Sequence, residues 1–173
     1  MKQYQSPRVL ACLALISCLG RAEDVKPDHD FGLAAAQQQV KQMSVGDGLE
    51  VTLFAAEPMV VNPADMDVDS RGRVWVTEGA NYRSTFQKWG ILRPEGDRIQ
   101  ILADTNGDGV ADEAKTFYQD LSINTALGIC VLGNQVIVSA SPYIFRLTDT
   151  DGDDVADRRE LERRSVERVA RTA

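Results

Sequence analysis

The feature that most constrains this chain is a nine-residue motif that occurs twice. Asp104-Thr105-Asn106-Gly107-Asp108-Gly109-Val110-Ala111-Asp112 returns as Asp149-Thr150-Asp151-Gly152-Asp153-Asp154-Val155-Ala156-Asp157, an offset of 45 residues. Each copy follows a short apolar run, residues 99–102 and 144–147. A unit of that length built from several short strands is the mark of propeller blades. The sequence between and before the copies has strand texture. Residues 49–55, 64–69 and 73–78 alternate apolar and polar side chains, the period of a half-buried strand. Ser70-Arg71-Gly72 joins the second and third of these as a hairpin. Residues 97–103, 127–132, 135–140 and 143–147 supply further strands, with a Gly133-Asn134 turn, and residues 81–96 form a longer loop.

These patterns predict an all-β fold, a partial β-propeller of about two to three blades over residues 48–157. A propeller closes with about four to eight blades. The expectation is therefore that the chain is an N-terminal piece that needs further blades or another chain. Residues 23–47 read as a polar leader holding a short helix over residues 33–43, rich in Ala and Gln and stopped by Gly46-Asp47-Gly48. After Asp157 the strand texture is lost. Residues 158–173 carry six arginines and three glutamates and read as a charged tail, helical or derived from truncation.

Charge is grouped. The formal net charge is −7. The first 22 residues hold three basic residues and no acid, so with the tail set aside residues 23–157 hold ten bases against 23 acids. That balance excludes nucleic acid as a partner, because phosphate neutralisation needs clustered Lys and Arg.

The acids concentrate in the repeated motif, where their spacing is that of a calcium loop. Calcium takes six to eight oxygen ligands. In the first copy Asp104, Asn106 and Asp108 stand at positions 1, 3 and 5, Gly109 permits the turn at position 6, Val110 would offer its carbonyl at position 7, and Asp112 stands at position 9. Position 12 is Lys115, where a bidentate glutamate is expected. In the second copy Asp149, Asp151 and Asp153 fill positions 1, 3 and 5, Asp157 position 9 and Glu160 position 12. Asp154 replaces the position 6 glycine, at a cost if its φ is positive. The flanking strands separate these loops from EF-hands. The other reading is a pair of acidic turns shaped by Asx hydrogen bonds and empty of metal.

Other residues point less sharply. His29 is the one histidine, which speaks against a His-based zinc site or a His-containing triad within this chain. Cys130, in the apolar run at residues 127–132, reads as a buried structural thiol. Trp75 reads as packing, and Glu78-Gly79-Ala80-Asn81-Tyr82-Arg83 as a hydrogen-bonded loop anchor.

The N-terminus reads as an export signal over residues 1–22: Lys2 and Arg8, an apolar stretch over residues 9–19, and Gly20-Arg21-Ala22 for cleavage. Leu15-Ile16-Ser17-Cys18 resembles a lipobox, in which a lipidated Cys18 would tie the chain to a membrane. The expected location is the periplasm or cell surface, as a secreted protein or a lipoprotein.

The combination of motifs resembles a family of membrane-bound dehydrogenase-like proteins found in planctomycetes and their relatives. Residues 48–58 (GLEVTLFAAEP), residues 73–83 (RVWVTEGANYR), the strand and loop at residues 97–112, and residues 140–153 match that family in order. The resemblance implies a propeller similar to that of quinoprotein glucose or sorbosone dehydrogenases, with a sugar or alcohol as substrate. It implies pyrroloquinoline quinone only in full-length relatives, where later blades would complete a cofactor site, and it assigns no catalytic residue here. A non-enzymatic calcium-binding module for carbohydrate or protein at the cell surface is the competing expectation.

Overall fold

The structure is a computed structural model that describes residues 32–82 and 92–164. Helix α1 (Leu33–Gln42) comes first, close to the expected bounds; Lys41 lies in its last turn, where a cation suits the helix dipole. Eight strands follow: β1 (Pro63–Val68), β2 (Val74–Glu78), β3 (Asp97–Ala103), β4 (Glu113–Asp120), β5 (Gly128–Leu132), β6 (Gln135–Ala140), β7 (Tyr143–Thr148) and β8 (Arg158–Arg164). They form two four-stranded antiparallel meanders in the orders β1-β2-β3-β4 and β5-β6-β7-β8. These are two blades, as the repeat predicts.

The β1–β2 turn is organised by Asp69, whose Oδ1 accepts from the N–H groups of Arg71 (2.9 Å) and Arg73 (3.0 Å). Gly72 takes the positive φ of 79° that the turn requires. The blades stack face to face. Trp75, Ile99, Ile101 and Phe117 of the first blade bury against Val136, Val138, Phe145 and Leu147 of the second. The Phe117 ring meets Trp75 edge-on, with centroids 4.8 Å apart and an interplanar angle of 68°. Trp75 is therefore packing, as expected. Two carboxylates close the seam between the inner strands: Asp65 Oδ2 accepts from Ile129 N (2.9 Å) and Asp67 Oδ2 from Val131 N (2.7 Å).

The structure departs from the sequence pattern at four places. Residues 158–164 are not a tail or helix; β8 pairs with β7 from Thr148↔Arg158 to Tyr143↔Arg164 and completes the second blade. Strand β4 went unread because Glu113-Ala114-Lys115-Thr116 is polar and Phe117 sits at a register shift that breaks the alternation. Residues 49–55 are not in a sheet among the described residues. Cys130 is exposed, not buried. An apolar run laid in a strand divides between two faces, and in β5 Ile129 and Val131 pack on the first blade while Cys130 and Leu132 turn to the other side.

That far side of the second blade differs from the equivalent side of the first, which packs on the second blade. Arg146 stands where the first blade has Ile101, and Glu162 where it has Phe117. Arg146 pairs with Glu160 (3.2 Å) and Glu162 (2.7 Å). The export signal with Cys18, His29, Arg83 and residues 165–173 lie outside the described residues.

Candidate metal centre

Both acidic loops join the third and fourth strands of their blades. Residues 104–112 link β3 to β4, and residues 149–157 link β7 to β8. Their local wiring is nearly identical. Asp104 Oδ1 accepts from Gly107 N (2.7 Å) and Oδ2 from Gly109 N (2.8 Å). Asp149 does the same with Gly152 N (2.7 Å) and Asp154 N (2.9 Å). Asn106 and Asp151 each accept from the N–H two residues on, and so do Asp108 and Asp153. These Asx turns fix the side chains at positions 1, 3 and 5 of each loop locally.

In the second loop Asp149, Asp151 and Asp153 each bring one carboxylate oxygen within 4.8 Å of the others, a group that could hold a metal ion. The chemistry of the donor set fits a hard cation: three oxygens, no sulfur and no imidazole. The first loop offers the same three positions with an amide, Asn106, between its two carboxylates. Electrostatics separate the loops. The N–H groups of Gly109, Gly107 and Asp108 hold Asp104 below the usual carboxylate range. Asp151 is held down by the Asp153 N–H but lifted more by the charges of Asp153, Asp157 and Asp149, so its net shift is upward.

Position 9 does different work from that expected of a ligand. Asp112 binds Thr105 through N (2.9 Å) and Oγ1 (2.9 Å), and Asp157 binds Thr150 through N (2.7 Å) and Oγ1 (2.7 Å). Both staple the loop shut. Val110 lies at position 7, exposed, with its N–H given to Asp108. Glu160, expected at position 12, lies in β8 and binds Arg158 (2.7 Å) and Arg146 (3.2 Å). In a helix position 12 would turn back toward the loop; in a strand it is carried away.

Asp154 has the positive φ, 60°, that its place in the motif demands. Its carboxylate shows why glycine is absent. Arg73 binds it in a fork, Nη1 to Oδ2 at 2.8 Å and Nη2 to Oδ1 at 3.0 Å, and donates its Nε to Asp69 at 2.8 Å. Arg73 holds Asp154 well below the usual range. Asp154 thus clamps the second loop to the first blade's hairpin. Lys115 adds a bond to the Asp153 carbonyl, and Ala156 N donates to Phe117 O at 2.8 Å. A groove between the blades opens beside this clamp, lined by Arg73, Trp75, Phe117, Asp149 and Asp154.

A second polar centre anchors the other end of the first blade. Glu78 is fully buried. It accepts from Arg98 Nε (2.7 Å) and Nη2 (2.9 Å), from Arg93, and from Val61 N (2.8 Å). Burial alone would raise its carboxyl, but the hydrogen bonds of Arg98, Val61 and Arg93 outweigh that and bring it down. Asn81 gives its N–H to Asp97 (2.9 Å) and its amide to Arg93 O (2.8 Å). Glu78 and Asn81 are the loop anchor expected from the sequence.

Three solved structures resemble the chain. One is the holo form of the PQQ domain of a pyranose dehydrogenase from Coprinopsis cinerea, at 21% identity and a TM-score of 0.49 over 68% of this chain. Two are calcium and iodide structures of a Carbohydrate-Active Enzymes Family AA12 protein from Trichoderma reesei, at 19% and 18% identity and a TM-score of 0.49 over 68% of this chain. The chain spans about a quarter of their length, 24% of the first and 26% of the others. No curated protein matches it. Residues 35–164 match the profile described as "Domain of unknown function (DUF7133)", and the chain belongs to that family.

Proposed function

We propose that this chain supplies two blades of an exported, dehydrogenase-like β-propeller whose rim loops hold calcium. The observation that carries the cation is the meeting of Asp149, Asp151 and Asp153 within 4.8 Å. Asp149 is a buried residue and Asp151 and Asp153 are exposed, so the site opens to solvent. A divalent ion there would relieve the repulsion that lifts Asp151. Asp149, Asp151 and Asp153 would hold it in the second loop, and Asp104, Asn106 and Asp108 in the first. The second loop carries one more negative charge at these positions and binds more tightly. The Arg73–Asp154 fork ties the bound loop to the neighbouring blade, so that calcium stiffens the joint between blades and not only a turn.

The dehydrogenase part rests on the family resemblance of residues 48–58, 73–83 and 140–153. In it, longer proteins carrying these blades oxidise a sugar or alcohol with a quinone that other blades help to bind, and this chain alone is inactive. A longer version given pyrroloquinoline quinone, sugars and an artificial electron acceptor should reduce the acceptor. Sugar binding without turnover would favour a non-enzymatic carbohydrate module.

Calcium is tested by thermal unfolding in calcium and in excess chelator. A ligand that binds only the folded state adds about 2.7 kcal/mol at a hundredfold excess over its Kd. The midpoint should rise with calcium, and Asp151→Asn, which gives the second loop the donor set of the first, should reduce the rise in part while leaving the Arg73–Asp154 fork in place. A folded protein whose midpoint is the same in calcium and chelator would overturn the metal assignment.

A further inference from the structure

The two loops differ at position 3, and the difference carries a chemistry of its own. The chain holds five asparagines, at 62, 81, 106, 124 and 134, and only Asn106 is followed by glycine. An asparagine side chain is open to attack at Cγ by the backbone nitrogen of the next residue. Closure gives a cyclic imide and releases ammonia, and water then opens the ring; asparagine is thermolabile in this way. The reaction needs a following residue with no side chain in the way, an acceptor for the amide proton, a donor for the oxygen that gains charge, and water.

The first loop meets each need. Gly107 is exposed, takes a φ of 78° and offers its nitrogen with no Cβ beside it. That nitrogen already gives its hydrogen to Asp104 Oδ1 at 2.7 Å, within the range of a proton transfer. The N–H groups of Gly109, Gly107 and Asp108 keep Asp104 ionised at neutral pH. Asn106 Oδ1 accepts from Asp108 N at 2.9 Å, a donor placed where negative charge develops during the attack. Asn106 is exposed, so water reaches the imide. The other asparagines each lack a part. Asn62 precedes Pro63, which has no N–H. Asn81 is buried, with both ends of its amide bonded. Asn124 Oδ1 accepts from Asp97 N, Asn134 gives its NH2 to the Asp149 carbonyl, and a residue with a branched or long side chain follows each.

The second loop already carries the product. Asp151 stands where Asn106 stands, Gly152 follows with a φ of 84°, and Gly152 N binds Asp149 as Gly107 N binds Asp104. An aspartate at position 3 fits the same wiring.

We propose that Asn106 is a self-modifying site, deamidated by its own loop. Gly107 N bonds to Asn106 Cγ, its proton passes by way of Asp104 to the departing NH2, the bond from Cγ to that group breaks, and ammonia leaves. Water opens the imide at Cγ to give aspartate, or at the backbone carbonyl to give isoaspartate. The sum is asparagine and water giving aspartate and ammonia, with no change of oxidation state. The aspartate gives the first loop the three carboxylates of the second, one more negative charge. The modification stands on the loop's own geometry; its effect on a bound cation rests on the calcium reading above.

The test incubates the full folded chain at neutral pH in chelator, beside an end-blocked peptide of residues 104–112. Both are sampled over time by peptide-mapping mass spectrometry. In the folded chain Asn106 should convert to aspartate and isoaspartate at least as fast as in the peptide, before any loss is seen at the other four asparagines. Gly107→Ala, whose Cβ would meet no atom within 4 Å, should leave Asn106 an amide over the same period. An Asn106 that keeps its amide in the folded chain while the peptide loses it would overturn the proposal, because the loop would then protect the residue. Conversion undiminished in Gly107→Ala, or equal loss at Asn134, would overturn it too. Asn106→Asp separates the two readings: its unfolding midpoint should rise further with calcium than that of the native chain. If Asn106 converts as expected and this variant gains nothing from calcium, the calcium reading fails and the modification stands.

Discussion

Replacing Glu78 by glutamine removes one charge and almost no volume. The native carboxylate is fully buried and faces two guanidinium groups and one backbone N–H. The variant leaves Arg93 and Arg98 without a counter-charge and turns an amide NH2 toward donors. Removing one partner of a buried pair costs about 3–5 kcal/mol. Arg93 and Arg98 keep 17% and 22% of their side-chain surface in water, so part of that cost is returned by solvation, and about 2–3 kcal/mol remains. For a unit of this size that lowers the midpoint by on the order of 10 °C. Acid adds a sharper test. The carboxyl of Glu78 lies lower in the folded chain than its ordinary value of 4.5. A depressed carboxyl contributes stability that is present above the unfolded pKa and lost as pH falls through the folded one. Other carboxylates, Asp69 and Asp154 among them, are lowered too and erode both proteins alike. The gap between native protein and Glu78→Gln in urea unfolding should therefore be widest near pH 7 and narrow steadily below about pH 4.5. A gap that stays constant from pH 7 to pH 3 would refute the assignment of that stability to the ionised carboxylate.

Two further outcomes follow from the joint between blades. Phe117→Ala removes the ring against Trp75 at the centre of the inter-blade core; it should cost about 3–5 kcal/mol and shift the tryptophan emission to the red, and a loss under about 1 kcal/mol would show that the blades do not depend on this contact. A double-mutant cycle on Arg73→Ala and Asp154→Ala should give a coupling of about 1–2 kcal/mol for their forked, partly buried pair. A coupling indistinguishable from zero would mean the loop is not clamped to its neighbour.

Much of this fold was legible because turns and alternation are local signals. Asp97–Ala103 and Gln135–Ala140 emerge with the bounds read from the sequence, and the repeated motif lands on equivalent loops of two blades. The unread strands failed for physical reasons. In β8 arginines and glutamates occupy both faces, Arg146 of β7 answering Glu160 and Glu162 across the pair, so no apolar period marks it. In the site, positions 1, 3 and 5 could be read from spacing, since Asx turns fix them locally. The staple role of Asp112 and Asp157 depends on a threonine seven residues back, and the engagement of Asp154 depends on Arg73, 81 residues away. Glu160 misled because the spacing rule for position 12 presumes a helix that this fold does not supply.

The exchange of Ile101 and Phe117 for Arg146 and Glu162 bears on how such a protein can evolve. Because the two blades do not present the same side chains on the face that looks toward the following blade, they are not interchangeable parts. A gene duplication that inserted a second copy of the later blade after itself would set Arg146, Glu160 and Glu162 against the apolar near face of Val136, Val138 and Leu147, burying an ion-pair cluster that carries one uncompensated negative charge. The order of blades is thereby protected against shuffling by recombination, and lengthening the ring would require the joints to be rewritten one at a time.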